Sequence, residues 1–421
     1  MKVSPRIELL CIGTELLRGQ LNTHQSYLSL GLESIGLNLA KESSLPDDMD
    51  LMRHEIKKSL QRCDVLLLCG GLGPTFDDIT REAAAWALGR PLKYHPRIFG
   101  AIVKKFKRYR LPIPEENKRQ AFVIKGARVL KNKMGSAPGQ MIVLPRDGAL
   151  PQTTVMLPGP SGELKPMFES AVLPHLKKTY AKNIHAQHFC FHLSGISESA
   201  SDEKLKKISS LADPALSFTI LASQAQVDFH VSIMTASRER MQLLAQDLRR
   251  RIYKAVGDSI FGEGIETLES VVGKRLRDKN LTLSVAESCT GGMLGQKLTA
   301  VPGSSDYFLG GAIVYSNELK IKLLGVKPQT LKAYGAVSAE CAREMSIGTR
   351  KLTGSNLGIS ITGIAGPQGG NKPKPVGLIF VSLSGPREEV HELRFSGNRE
   401  AIRQKAANMA LHLLLRHLKK D

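Results

Sequence analysis

The stretch VAESCTGG, residues 285–292, sets Ser288 beside Cys289, Thr290, Gly291 and Gly292. It follows the apolar alternation of Leu281, Leu283 and Val285. A strand that enters a helix through so tight a turn exposes the turn's side chains and aims unpaired helix amides at the same spot. Ser288 there can be a nucleophile. Equally, Ser288 or Thr290 can be a helix N-cap and nothing more. No G-x-S-x-G elbow is present, which argues against lipase-type chemistry.

A serine nucleophile needs a proton acceptor. The histidines in this part of the chain are His391, in the exposed strand pattern EEVHELRF, and His412 and His417, in the last helix pattern. None suits a Ser-His-Asp triad. Lysine is the other choice, because burial lowers its pKa towards neutrality. In GGAIVYSNELKIKLLG a strand pattern ends at Tyr315, a helix starts near Ser316, and Lys320 falls one turn in. Such a lysine can also simply lie on the surface.

Two further stretches share this design. SITGIAGPQGG, residues 360–370, has backbone amides suited to a phosphate or a developing oxyanion. GGLGPTFDDIT, residues 70–80, joins a glycine turn (Gly71, Gly73) to Asp77 and Asp78 at a helix start. Those carboxylates can hold a divalent metal, polarise a water, or cap the helix. Glu15 with Asn22, and Asp47 with Asp48, have similar status.

The elements that must position these groups fall into three segments. Residues 1–175 repeat strand, glycine turn and helix, as a doubly wound α/β domain does. VLLLC (65–69) has the continuous apolar character of a parallel strand covered on both faces. Residues 176–258 form a small α+β module, in which QVDFHVSIMTA alternates as a half-exposed strand. Residues 259–421 return to α/β, with PQGGNKPKP (367–375) as a lid-like loop.

A chain of 421 residues suggests about two to four domains. The N-terminal MKVSPRIELLCIGTELL lacks the pattern of a signal peptide. No apolar run is long enough to span a membrane, so the expected location is the cytoplasm. Six scattered cysteines without a C-x-x-C pair argue against zinc and thioredoxin-like motifs. A net charge of +20 favours anionic partners. Most of the excess lies on amphipathic helices and aromatics are only 5%, so nucleic acid is not the expected partner.

Taken in order, VAESCTGG, VPGSSDYFLGGAIVYSNELKIKLLGV, GAVS, ITGIAGPQGG, KPVG and FSGNREAIR resemble the C-terminal domain of the CinA family. That domain is related to nicotinamide mononucleotide deamidases. GTELLRGQ, GGLGPTFDDIT and LPGPSGELKPMF resemble the family's N-terminal domain, which is similar to the MoaB/MogA molybdopterin-binding proteins. SGISES and VGDSIFG match the family's KH-like middle segment. There is no G-x-x-G clamp, and a KH-like fold without one does not imply RNA binding.

The resemblance implies hydrolysis of nicotinamide mononucleotide to nicotinate mononucleotide and ammonia, with no cofactor. Ser288 would be the nucleophile, and Tyr315 and Lys320 would handle its proton, with Tyr315 bridging the two. Thr290, Gly291, Thr362, Gly363 and Arg399 would form the nucleotide site. For the N-terminal domain it implies ADP-ribose pyrophosphatase activity with a divalent metal such as magnesium at Asp78. Glu15, Asn22, Asp47, Gly71, Gly73 and Asp77 would complete that site. GQLNTHQ is one residue shorter than the family's usual loop, with His24 where Asn is common, and Asn398 replaces a frequent Asp. The expected assembly is a homodimer. The competing readings are a nucleotide- or pterin-binding protein without deamidase activity, and a DNA-associated competence or damage factor.

Overall fold

The computed structural model describes residues 5–419. The chain divides into two compact units, Met1–His188 with Ser232–Ala245, and Phe189–Val231 with Gln246–Asp421.

The N-terminal domain runs β1 (Ile7–Ile12), α1 (His24–Ser34), β2 (Leu39–Leu45), α2 (Met49–Arg62), β3 (Val65–Cys69) and α3 (Thr80–Ala87). It continues through β4 (Leu92–Tyr94), α4 (Pro96–Arg108), β5 (Phe122–Ile124), β6 (Arg128–Leu130), β7 (Gly139–Leu144), β8 (Gln152–Leu157), α5 (Ser161–Met167) and α6 (Leu173–Tyr180). Its main sheet has the order β2-β1-β3-β8-β7-β6. β1, β2, β3 and β8 are mutually parallel; β7 and β6 are antiparallel additions. Side chains alternate across a strand, and here both faces are core. Val65, Leu67 and Cys69 join the layer with Leu28, Leu32 and Phe168, whereas Leu66 and Leu68 join the layer with Met52, Ile56 and Ala83. That is the doubly wound arrangement, and it explains why VLLLC is apolar throughout.

The middle segment contributes β9 (His185–Ser194), α7 (Glu198–Ser209), β10 (Leu216–Ser223), β11 (Gln226–Thr235), α8 (Arg238–Val256) and β12 (Ile260–Glu263). The strands form a sheet in the order β10-β11-β9-β12. Val227, Phe229, Val231 and Ile233 of β11 are buried, and the residues between them are half-buried.

The C-terminal domain runs α9 (Leu268–Asp278), β13 (Leu283–Glu287), α10 (Met293–Thr299), β14 (Phe308–Ile313), α11 (Asn317–Leu324), α12 (Pro328–Tyr334) and α13 (Ala339–Thr353). Then come β15 (Leu357–Gly363), β16 (Leu378–Ser384), β17 (Glu389–Arg394) and α14 (Arg399–Lys419). The sheet order is β14-β13-β15-β16-β17. β13 is parallel to both neighbours. β14 and β15 follow it in sequence but flank it on opposite sides. This reversal of strand order is the place where open α/β sheets bind ligands, beyond the strands' carboxyl ends. The carboxyl ends of β13, β14 and β15 and the turns after them therefore gather there, and they carry Ser288, Tyr315 and Gly363.

Candidate active site

The β13–β15 ladder extends one residue past Glu287, where the Ser288 amide donates to the Ile361 carbonyl (2.9 Å). The chain then turns tightly. The Gly291 amide donates to the Ser288 carbonyl (3.2 Å), and Gly291 and Gly292 take φ of +61° and +95°.

Neither Ser288 nor Thr290 caps the following helix. The buried Glu287 carboxylate does so, accepting from the amides of Gly292 (3.0 Å), Leu294 (3.1 Å) and Gly295 (2.8 Å). The α10 amides expected to face a ligand are thus occupied from within the fold. Arg403 holds the turn from its other side, with Nε donating to the Cys289 carbonyl (3.2 Å) and Nη2 to the Thr290 carbonyl (2.7 Å). Burial pushes the Cys289 thiol up to about 12, which keeps it un-ionised near neutral pH.

Lys320 comes from α11. Ser316 caps this helix by accepting from the Leu319 amide (3.2 Å), and Lys320 and Leu324, one turn apart, form its buried face. Lys320 is 1% exposed rather than a surface lysine. Its Nζ donates to the Val314 carbonyl (2.8 Å), reaches the Tyr315 carbonyl at 3.4 Å, and lies 3.1 Å from Ser288 Oγ. Burial lowers its pKa below the ordinary lysine value, although the Cys341 and Cys289 thiols oppose the shift. The cause is desolvation and not repulsion by another cation. Two carbonyls take two N–H bonds. In the neutral amine the remaining tetrahedral position is a lone pair, available to the Ser288 hydroxyl.

The expected tyrosine bridge is absent. The Tyr315 ring is 61% exposed, and its hydroxyl accepts from Arg399 Nη2 (2.9 Å). Arg399 Nη1 donates to the Gly366 carbonyl (2.7 Å). The inward face of α11 brings the Lys320 amine to Ser288 directly, without the tyrosine.

The loop after β15 forms the third wall. The Thr362 hydroxyl donates to the Ala336 carbonyl (2.8 Å). Gly363 permits close approach of β15 and β16, since a Cβ there would stand 2.6 Å from the Leu378 carbonyl oxygen. Lys374 Nζ donates to the carbonyls of Tyr334 (2.5 Å) and Val337 (2.7 Å), tying down the loop that reads as lid-like in sequence. Ser288, Tyr315, Lys320, Thr362, Gly363 and Arg399 line a cleft of about 260 Å³. This lies near the lower end of the ~300–1,000 Å³ common for small-molecule sites. Thr290 and Gly291 do not line it, and the buried Thr290 hydroxyl has no partner.

Three family descriptions match along the chain: a probable molybdopterin binding domain over residues 8–178, a damage-inducible protein CinA KH domain over 190–262, and a CinA C-terminal domain over 265–418. A protein of Caldicellulosiruptor bescii, named as competence-damage inducible, is 42% identical over 410 residues, spanning 97% of this chain and 98% of the relative. The chain belongs to the CinA family. A CinA-like protein of Endomicrobium trichonymphae is 39% identical over 98% of both chains. A crystal structure of a CinA superfamily protein from Klebsiella pneumoniae is 34% identical, covering 37% of this chain and 97% of that one, with a TM-score of 0.36. Among the described residues, no helix is long and apolar enough to cross a membrane.

This CinA chain has a second cleft of about 370 Å³ in its molybdopterin-binding-type domain, at the ends of β1 and β3. Glu15, Asp47, Gly71, Gly73, Asp77 and Asp78 line it. Gly71 has φ of +63°, and a Cβ there would sit 2.2 Å from Thr80 Oγ1. Asn22 does not line the cleft. Its amide donates to Glu42 Oε1 (3.1 Å) and its Oδ1 accepts from the His24 amide (3.1 Å), which serves the start of α1. Asp47 Oδ2 accepts from the Thr14 amide (2.8 Å) and hydroxyl (3.0 Å). Asp78 Oδ2 accepts from the Thr75 amide (2.9 Å) and hydroxyl. Asp48, not Asp77 or Asp78, is a helix cap, accepting from the Leu51 amide at the start of α2. Among the described residues these carboxylates do not converge into a three-ligand metal cluster. They do not fit a closed metal cage. They fit the looser mode of Mg²⁺, in which one or two carboxylates share the ion with water and substrate phosphates.

Proposed function

We propose that the C-terminal domain hydrolyses the carboxamide of nicotinamide mononucleotide, releasing nicotinate mononucleotide and ammonia. The observation that carries this reading is the buried Lys320 amine 3.1 Å from Ser288 Oγ. Lys320 Nζ takes the hydroxyl proton as Oγ bonds to the amide carbon, and the carbonyl electrons move to oxygen. On collapse the C–N bond breaks and Lys320 returns the proton to the leaving ammonia. Water then attacks the ester with Lys320 as base, and Ser288 leaves with its proton restored. Among the described residues the amide of Cys289, which lines the cleft, donates to no other residue, and we assign it to the developing oxyanion. Arg399 offers its guanidinium to the nucleotide phosphate. The test is to incubate the full chain with nicotinamide mononucleotide and follow ammonia and nicotinate mononucleotide together. Absence of both products in a folded preparation would sink the proposal.

The N-terminal cleft favours a second, separate reaction, hydrolysis of a nucleoside diphosphate sugar such as ADP-ribose. A glycine turn beside several carboxylates supports it. Asp77 and Asp78 would hold a divalent ion, which would neutralise charge on the phosphates. Loss of ADP-ribose cleavage on adding a chelator, with deamidation unchanged, is the expected result. Cleavage that persists without divalent ions would overturn this second reading.

A further inference from the structure

The sheet of the middle segment carries a cluster of ligating side chains that neither proposed reaction uses. Cys190 and His192 are alternate residues of β9, and Asp228 and His230 are alternate residues of β11, so each pair projects to one face. The intervening Phe191 and Phe229 are buried in the core. Cys190 Sγ, an Asp228 carboxylate oxygen and a His230 ring nitrogen all lie within 4.8 Å of one another. His192 Nδ1 is 3.7 Å from the same sulfur and 2.7 Å from Asp228 Oδ1.

We propose that Cys190, His192, Asp228 and His230 form a structural binding site for a tetrahedral cation of the zinc class. With Zn–S near 2.3 Å and Zn–N near 2.0–2.1 Å, a tetrahedron places sulfur and nitrogen about 3.6 Å apart. The two sulfur–imidazole separations here are 3.7 and 3.8 Å. The His192–Asp228 pair would open from 2.7 Å to about 3.3 Å, the corresponding N–O edge, and His192, which stands outside the three groups that converge within 4.8 Å, would turn towards His230. His192 is oriented as a metal-bound imidazole is. Its Nε2 lies 2.8 Å from the Gly264 carbonyl oxygen, and its ring stacks on Phe261 at 5.6 Å. A backbone carbonyl on the outer nitrogen fixes the tautomer that leaves Nδ1 to face the ion.

The donor set supports the assignment. A thiolate with imidazoles selects zinc-like ions over magnesium or calcium. Cys190, Asp228 and His230 already converge, and with His192 turned in as the fourth ligand no position would stay open, which marks a structural rather than a catalytic site. The sequence signature is Cys-x-His on one strand and Asp-x-His on its partner, a spacing that a search for C-x-x-C passes over.

The test uses the full chain, stripped with a chelator and titrated with Co²⁺. The expected result is that one bound equivalent develops tetrahedral d–d bands and a thiolate-to-metal charge-transfer band that Zn²⁺ abolishes. Carboxylates in the N-terminal cleft cannot produce that thiolate band. Cys190→Ser should lose it, and His230→Ala should weaken Co²⁺ binding by at least the roughly 10–100-fold seen for loss of an outer partner. Zn²⁺ should raise the melting temperature of the wild-type chain but not of Cys190→Ser. Circular dichroism of each metal-free variant checks folding, and Asp228→Asn provides a milder second variant that should weaken binding while keeping the band. Absence of a thiolate band in the wild type, or its survival in folded Cys190→Ser, overturns the proposal.

Discussion

Lys320→Met removes the amine beside Ser288 and little else. Methionine fills a similar volume, so the packing change should cost under about 1.5 kcal/mol. The Val314 carbonyl and the Ser288 hydroxyl each lose a partner, at roughly 1–3 kcal/mol per buried group left unpaired. The chain should therefore stay folded, with a lowered melting temperature. Turnover at saturating nicotinamide mononucleotide should fall at least ~100-fold, the loss of a positioned general base, or about 2.7 kcal/mol of barrier. Lys320→Arg should fail as well, because guanidinium cannot give up its proton at working pH. The pH profile is diagnostic. Burial places the Lys320 pKa below 10.5, so wild-type turnover should rise with pH through that lowered value. Between that value and 10.5 the unfolded chain binds the proton that the folded chain has released. Native stability therefore rises with pH across the same window. Lys320→Met should lose both slopes. Turnover of folded Lys320→Arg close to wild type would refute lysine as the base.

Ser288→Ala should abolish ammonia release with an unchanged circular dichroism spectrum, and Cys289→Ala should keep most activity; the reverse pattern would exchange their roles. Tyr315→Phe should raise KM through loosened Arg399 while kcat changes only a few-fold, since its hydroxyl touches neither Ser288 nor Lys320; a kcat loss as large as that of Lys320→Met would restore the tyrosine relay. Gly363→Ala should destabilise the domain by roughly 1–3 kcal/mol of overpacking, read by denaturant titration, because the added methyl meets the backbone of β16. Asp78→Ala should leave deamidation intact while removing ADP-ribose cleavage, and loss of both in a folded variant would argue against separate sites.

Much of the fold is legible because the sheet strands are short and bounded. VLLLC is apolar at every position since both faces of β3 are covered, and QVDFHVSIMT alternates since one face of β11 is not. The turn at Ser288 is legible for the same reason: two glycines close an apolar run. Lys320 is not. One turn into a helix, it looks like any amphipathic lysine, and only the packing of α11 shows that its face points inward. Glu287 is equally hidden, since an acidic residue inside a strand pattern gives no sign that it will cap the next helix. Arg403 reaches the turn from 113 residues away in sequence, beyond any local pattern. Asn22 misled for the opposite reason. An Asx residue two positions ahead of a helix's first amide has a local use that outcompetes a ligand.

Glu287 has a consequence for how a substrate lies in the cleft. Three amides that would have formed an anion-attracting helix end are spent on one internal carboxylate, immediately before Ser288. That helix end offers a phosphate nothing, and the guanidinium of Arg399 is the cationic group of the cleft wall that can receive one. In the proposed reaction the phosphate of the nucleotide would therefore face Arg399, with the carboxamide towards Ser288.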